Sequence, residues 1–314
     1  MTTYNRRTFL KLSAVLTVTA ATGRVFLTSW SSGKTLRQQA SGHPFFAGSK
    51  HNPEVIAHRG GDGQWPGETM QAMRQARDIG VDLLEMDVYL TRDGQLALMH
   101  DINIKKTTNG KGLIQKFTLA ELQNLNAGYN WSGDGGKTFP YRKNLNELPQ
   151  STRNAFRVPS LKEVFEEFPE MRMVVEMKPA LRSPAPALCN MIRDHGMTNK
   201  VIVASFWAPF MKEFRGLCGA VATSASISAG DLKKFLLGNS ANDNSVGATA
   251  IEVPYQFITE ALVKKARERN LKIHAWTVNN PADMNRMIGL GVDGIMTDYP
   301  GPLLALLTGK PQPA

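Results

Sequence analysis

Residues 85–101, EMDVYLTRDGQLALMHD, decide the fold. The connection from Asp87 to His100 is too short for a crossover helix, since parallel pairing needs a dozen or more connecting residues. The chain must therefore reverse as a hairpin, with its turn at Arg92-Asp93-Gly94, a Gly-containing turn sequence. The returning LALMH then runs antiparallel and brings His100 roughly level with Asp87. Glu85 and Asp87 are two residues apart, so both side chains leave the same side of their strand. Two carboxylates and an imidazole are thereby expected at one end of one strand.

Outward from that hairpin, short apolar runs alternate with amphipathic segments from Val55 onward, which argues a parallel α/β architecture. The candidate strands are EVIAHRG, DLLEMDV, RMVVEMKP, VIVASF, VATSAS, ATAIEVP, KIHAWTV and DGIMTDYP. Helical patterns separate most of them. In ITEALVKKARERN, for example, Ile258, Leu262, Val263 and Ala266 share one face. Eight parallel strands over this length match an α/β TIM (β/α)8 barrel. No G-x-G-x-x-G opens a helix, so a doubly wound nucleotide-binding sheet is disfavoured. Residues 54–308 form the barrel domain in this reading, with a β-hairpin and a short insertion after the second barrel strand.

The formal charge of +10 sits largely in the leader, because residues 1–53 carry Arg6, Arg7, Lys11, Arg24, Lys34, Arg37 and Lys50 and no acid. The rest is near neutral, which gives no support to nucleic-acid binding. Residues 1–30 begin MTTYNRRTFLKLSAVL. The paired arginines before a short uncharged stretch resemble a twin-arginine export signal, too short to span a bilayer as a helix. They imply an exported, periplasmic or otherwise extracytoplasmic protein, held to the membrane if the segment is not cleaved. Residues 31–53 read as a linker or surface strap. Cys189 and Cys218 lack zinc-site spacing and read as packing residues, although export permits a bridge between them.

In a barrel of this kind the active face lies at the C-terminal ends of the strands. Three ends are dense in charge: His58 with Arg59, Glu85 with Asp87, and Glu176 with Lys178, the last pair again sharing one side of a strand. Carboxylates gathered after apolar runs repel one another unless a cation lies between them, and an all-oxygen set suits Mg²⁺ or Ca²⁺ better than zinc. His274, inside KIHAWTV, reads as a packed or hydrogen-bonded residue.

Taken together, HRGG, WPGET, EMDVYLTRDGQLALMHD, VVEMKP, AWTVNN and GVDGIMTDYP resemble the glycerophosphodiester phosphodiesterases, from Val55 to about Pro300. The resemblance implies a phospholipase-C-like TIM barrel acting on a small glycerophosphodiester. It implies Glu85, Asp87 and Glu176 as ligands of one divalent cation, His58 and His100 as the acid/base pair, and Arg59 and Lys178 as phosphate contacts. Trp276 and Phe206 are candidates to line the substrate pocket. The family usually shows Pro-Glu-Asn-Thr where this chain has Pro66-Gly67-Glu68-Thr69. Glu68 then either adds a ligand to the metal or hydrogen-bonds within its own loop, and Thr69 is a helix N-cap. The chemistry is consistent: cations neutralise the anionic phosphodiester, and two imidazoles move protons near neutral pH. The competing readings are a sphingomyelinase D-like barrel that forms a cyclic phosphate from intact or lyso lipids, and a non-catalytic protein that captures phosphorylated ligands. A retained pair of histidines argues against the second.

Overall fold

The computed structural model describes residues 42–226 and 247–310. The export-type leader and residues 31–41 of the 31–53 segment lie outside the described residues. Among the described residues one sheet contains β1 (Glu54–Ala57), β2 (Leu83–Leu90), β3 (Leu96–Leu98), β4 (Arg172–Met177), β5 (Val201–Ala204), β6 (Ala222–Ser226), β7 (Ala250–Pro254), β8 (Lys272–Trp276) and β9 (Gly294–Thr297). All but β3 pair in parallel from β1 and β2 through β4 to β9, and β9 returns to β1, which closes the barrel. The eight barrel strands are those expected from the apolar runs. β1 is shorter than EVIAHRG suggests: it ends at Ala57 because Arg59, Gly60 and Gly61 all take positive φ and turn the chain away.

The hairpin forms where the turn sequence places it. β3 runs antiparallel to β2 with Val88 opposite Leu98 and Leu90 opposite Leu96. Gly94 at the turn has φ +80°, a conformation that glycine adopts without a Cβ penalty. Met99 N–H donates to the Asp87 carbonyl at 3.0 Å, so His100 stands one residue past Asp87.

Side chains alternate across the barrel wall as the pleat requires. Leu84, Met86 and Val88 of β2 face the outer layer of helices, while Leu83 packs inside with Ile56, Val174, Ile202 and Met296. The outer layer contains α1 (Met70–Asp78), α4 (Leu161–Glu167), α5 (Ala185–Asp194), α6 (Ala208–Leu217), α7 (Glu260–Glu268), α8 (Pro281–Leu290) and α9 (Pro300–Thr308), while α2 (Leu119–Leu122) and α3 (Gln150–Phe156) lie in the insertion between β3 and β4. The Thr69 hydroxyl accepts from Ala72 N–H at 3.1 Å and caps α1 as expected. In α7 the buried Leu262, Val263 and Ala266 are the face read from the sequence.

The end of the 31–53 segment differs from a surface strap. Phe45 is fully buried in the inner cluster, and Arg172 Nη1 donates to its carbonyl at 3.2 Å. Beside it Arg172 pairs with Glu54 at 2.6 Å. An aromatic ring entering the open barrel end removes apolar strand residues from water, and that gain outweighs the polar composition around it.

Cys189 of α5 and Cys218, just after α6, form a disulfide with a Cα–Cα distance of 5.8 Å. They are thus a covalent tie and not packing residues alone. The bridge spans a sequence separation of 29, for which chain-entropy arguments give about 3.6 kcal/mol of stabilisation. Reduction and alkylation are expected to lower the melting temperature by roughly 10 °C. An unchanged melt would show that α5 and α6 hold together without the bridge.

Candidate active site

A cavity of about 390 Å³ opens at the C-terminal ends of the strands. His58, Arg59, Glu85, His100, Glu176 and Lys178 line it, as do Phe206 and Trp276. Of the residues expected at the site, Asp87 alone does not reach the cavity wall. It lies just beneath, 1% exposed, under the cationic ends of Arg59 and Lys178.

The β1 turn sets this arrangement. Arg59 occupies the left-handed region with φ +53°, which is unfavourable for a side chain other than glycine. This conformation aims its N–H at Glu85 Oε2 at 2.8 Å and its Nε toward Asp87 Oδ2 at 3.3 Å. Gly60 follows because a Cβ there would lie 2.8 Å from Ala72 Cβ on α1. Glu68, also in the left-handed region, is buried. Its Oε1 accepts from the Asp87 N–H at 2.9 Å, so it braces β2 from behind, and its Oε2 has no partner.

Charge is unevenly compensated. Lys178 Nζ lies 2.9 Å from Asp87 Oδ1 and 2.7 Å from Glu176 Oε1. Burial alone would raise the Asp87 carboxyl, but Lys178 and Arg59 outweigh it and hold it below its ordinary range. Glu85 and Glu68 are pushed well above theirs by burial and by the neighbouring Asp87. Glu176 is raised to about 7 by burial, with Asp87 adding to it. The oxygens Asp87 Oδ2 and Glu176 Oε1 are buried and lack an aligned hydrogen bond despite their ion-pair distances. Among the described residues no three acids, histidines or cysteines are drawn together as a ready metal cluster. Crowded carboxylates that hold protons for want of positive charge are nevertheless the donor chemistry a hard divalent cation satisfies.

The two imidazoles differ in their support. His58 Nδ1 donates to Asp298 Oδ1 at 2.6 Å, and Asp298 is held in turn by Asn279, whose Nδ2 donates to Oδ2 at 2.6 Å. That bond leaves His58 Nε2 free toward Glu85, 4.0 Å away. His100 is a third exposed, and its Nδ1 is 3.5 Å from Asp101 Oδ2. Burial and the nearby Arg59 lower its pKa, which makes its imidazolium a stronger acid than a free one.

Phe206 and Trp276 meet edge to face at a centroid distance of 5.5 Å. The insertion contributes no lining residue beyond His100; Trp131 Nε1 instead donates to the Asp62 carbonyl at 2.7 Å and buttresses the β1 turn from outside. His274 is fully buried with both ring nitrogens unpartnered, so it is packed but not hydrogen-bonded. The sequence reading missed Asp298, Asn279 and Glu252. Asn279 and Asp298 lie just beyond the ends of β8 and β9, the position that singled out other site residues, whereas Glu252 lies within β7.

The glycerophosphoryl diester phosphodiesterase family model matches residues 58–302. A glycerophosphodiester phosphodiesterase of Bacillus altitudinis is 30% identical over 79% of this chain and 95% of its own. One from Caldanaerobacter subterraneus is 29% identical over 81% and 97%. A solved Oleispira antarctica phosphodiesterase, in complex with the product sn-glycerol-3-phosphate, superposes with a TM-score of 0.67 at 26% identity, covering 81% of this chain and 96% of that one. Because one family model accounts for the chain from the first catalytic-face histidine to the last barrel helix, the protein belongs to the glycerophosphoryl diester phosphodiesterase family.

Proposed function

We propose that this enzyme hydrolyses glycerophosphodiesters to glycerol 3-phosphate and an alcohol, with His58 taking the proton of the attacking nucleophile and His100 giving one to the leaving alkoxide, and with one divalent cation, Mg²⁺ or Ca²⁺, at Glu85, Asp87 and Glu176. The observation that carries it is the pairing, across one cavity, of an Asp298-oriented His58 with a low-pKa His100 above a buried carboxylate group. Bound there, the cation would neutralise charge on a phosphoryl oxygen. His58, with Nδ1–H committed to Asp298, presents Nε2 as the proton acceptor, and Asp298 stabilises the imidazolium that results. His100 protonates the departing alkoxide. Arg59 and Lys178 supply further positive charge to the phosphate. Phe206 and Trp276 exclude water from the carbon portion of the substrate.

The Cys189–Cys218 bridge supports an exported protein, since disulfides persist in oxidising compartments, and agrees with the twin-arginine-type leader. Association with a membrane through that leader belongs to the same proposal. A panel of glycerophosphocholine, glycerophosphoethanolamine, glycerophosphoglycerol and intact lysolipids, with products read by phosphorus NMR, tests the reaction. Glycerol 3-phosphate is expected from the first three. Cyclic phosphate as the end product from lysolipids would favour the sphingomyelinase D-like reading instead.

A further inference from the structure

Glu252 has no role in the chemistry above, yet it is an unusual residue for the inside of a barrel. It lies on β7, two residues before the strand ends, and lines the cavity while its residue surface is only 4% exposed. Its Oε1 is buried without a hydrogen-bond partner. Two further buried polar atoms on the flanking strands lack an aligned partner: Ser224 Oγ on β6, which lies close enough to Glu252 to act as its hydrogen-bonding neighbour, and Trp276 Nε1 on β8. The register places Glu252 level with His274, and Trp276 two residues further along the same strand. Buried polar groups are nearly always paired, and a cluster of orphans beside a cavity marks where a ligand's own polar groups complete the set.

The chemistry of that ligand follows from the neighbours. Arg59 and Lys178, which suit the phosphate, stand with the β1, β2 and β4 end of the cavity, whereas Glu252 and Trp276 belong to β7 and β8 across it. A carboxyl group, an indole N–H and a serine hydroxyl, beside the Phe206 and Trp276 rings, match a small carbon chain bearing hydroxyls. A second phosphate is poorly matched, because Glu252 would repel it or hold a proton against it.

We propose that Glu252 is a specificity-determining residue, whose carboxyl group hydrogen-bonds a hydroxyl of the glycerol moiety opposite the phosphate-binding cations. The proposal rests on the glycerophosphodiester reading. Its test compares kcat/KM for glycerophosphocholine, for 3-hydroxypropyl phosphocholine, which lacks one glycerol hydroxyl, and for bis(p-nitrophenyl) phosphate, which has none. In the wild type the first is expected to be preferred over the second by roughly 10- to 100-fold, the loss that follows when a buried polar group is left without its hydrogen-bond partner. Glu252→Leu is expected to collapse that preference to about 1, chiefly through KM for glycerophosphocholine. Glu252→Gln, which keeps a donor and an acceptor, is expected to retain most of it.

Folding is checked by thermal melts, and Glu252→Asp, which withdraws the carboxyl by one methylene, provides a second variant with a smaller loss in the same direction. A wild-type preference that survives both Glu252→Leu and Glu252→Asp overturns the assignment. Equal losses in Glu252→Gln and Glu252→Leu also overturn it, since a charge and not a hydroxyl partner would then be at work. Absence of glycerophosphocholine turnover in the wild type would instead refute the underlying reaction.

Discussion

His100→Ala is expected to lower kcat for glycerophosphocholine by roughly 10³-fold, within the range for removal of a positioned acid or base, and to lower it far less for a glycerol phosphodiester with a p-nitrophenol leaving group. Choline departs as a poor leaving alkoxide that needs a proton, whereas p-nitrophenolate departs without one. His58→Ala is expected to slow both substrates alike, because a proton acceptor for the nucleophile is needed whichever group leaves. The asymmetry follows from the structure: His58 Nδ1 is committed to Asp298 at 2.6 Å, while His100 has only a 3.5 Å approach to Asp101 and a lowered pKa. Asp298→Asn, which leaves Asn279 in place but weakens support for the His58 imidazolium, is expected to follow the His58 pattern with a smaller loss. Equal losses of His100→Ala on both substrates would remove His100 from the donor role, and steady-state kinetics on the two diesters decides it.

Much of this site was legible because barrel geometry converts sequence position into spatial position. A strand-end Glu-x-Asp puts both acids on the inner side, and the short Asp-Gly turn carries His100 back to them, so spacing alone places Glu85, Asp87 and His100 together. Glu176 and Lys178 followed from the same spacing. What was not legible depended on contacts across the chain. Asp298 was visible in TDYP, but only closure of β9 onto β1 brings it against His58. Glu252 sits in the apolar run AIEVP, where a single acid reads as a solvated strand residue. Its inward phase, one strand over from Trp276, was the available signal. Glu68 offered two readings, and the structure shows a third, a brace on the Asp87 backbone, because the left-handed turn aims it behind β2. The Cys189–Cys218 distance and the burial of Phe45 arise from helix packing and barrel closure, which local pattern does not encode.

Stripped of divalent cations, the protein is expected to lose stability as pH rises from about 6.5 to 8, and to regain it when Mg²⁺ or Ca²⁺ is added. Glu176, raised to about 7, and Glu252, raised to about 8, keep protons in the folded state that the unfolded chain releases near an ordinary carboxylate pKa. Glu85 and Glu68, pushed well above that range, act in the same direction. The folded state therefore binds more protons over this window, and stability falls with pH. Groups of opposite sign do not interfere here. Asp87 and Asp298, whose pKa values are depressed, are ionised in both states above pH 6, and their contribution is lost only in acid. His100 and His274, lowered by burial, change the balance only below their ordinary value. The combined loss is on the order of 3 kcal/mol, or roughly 10 °C in melting temperature. A cation among Glu85, Asp87 and Glu176 would favour their ionised forms, so its binding should release protons and reverse the trend. Thermal melts in chelator from pH 6.5 to 8, repeated with each cation, give the comparison. A flat profile in chelator would mean that the carboxylates are already ionised, and a cation-independent profile would mean that they do not share a metal.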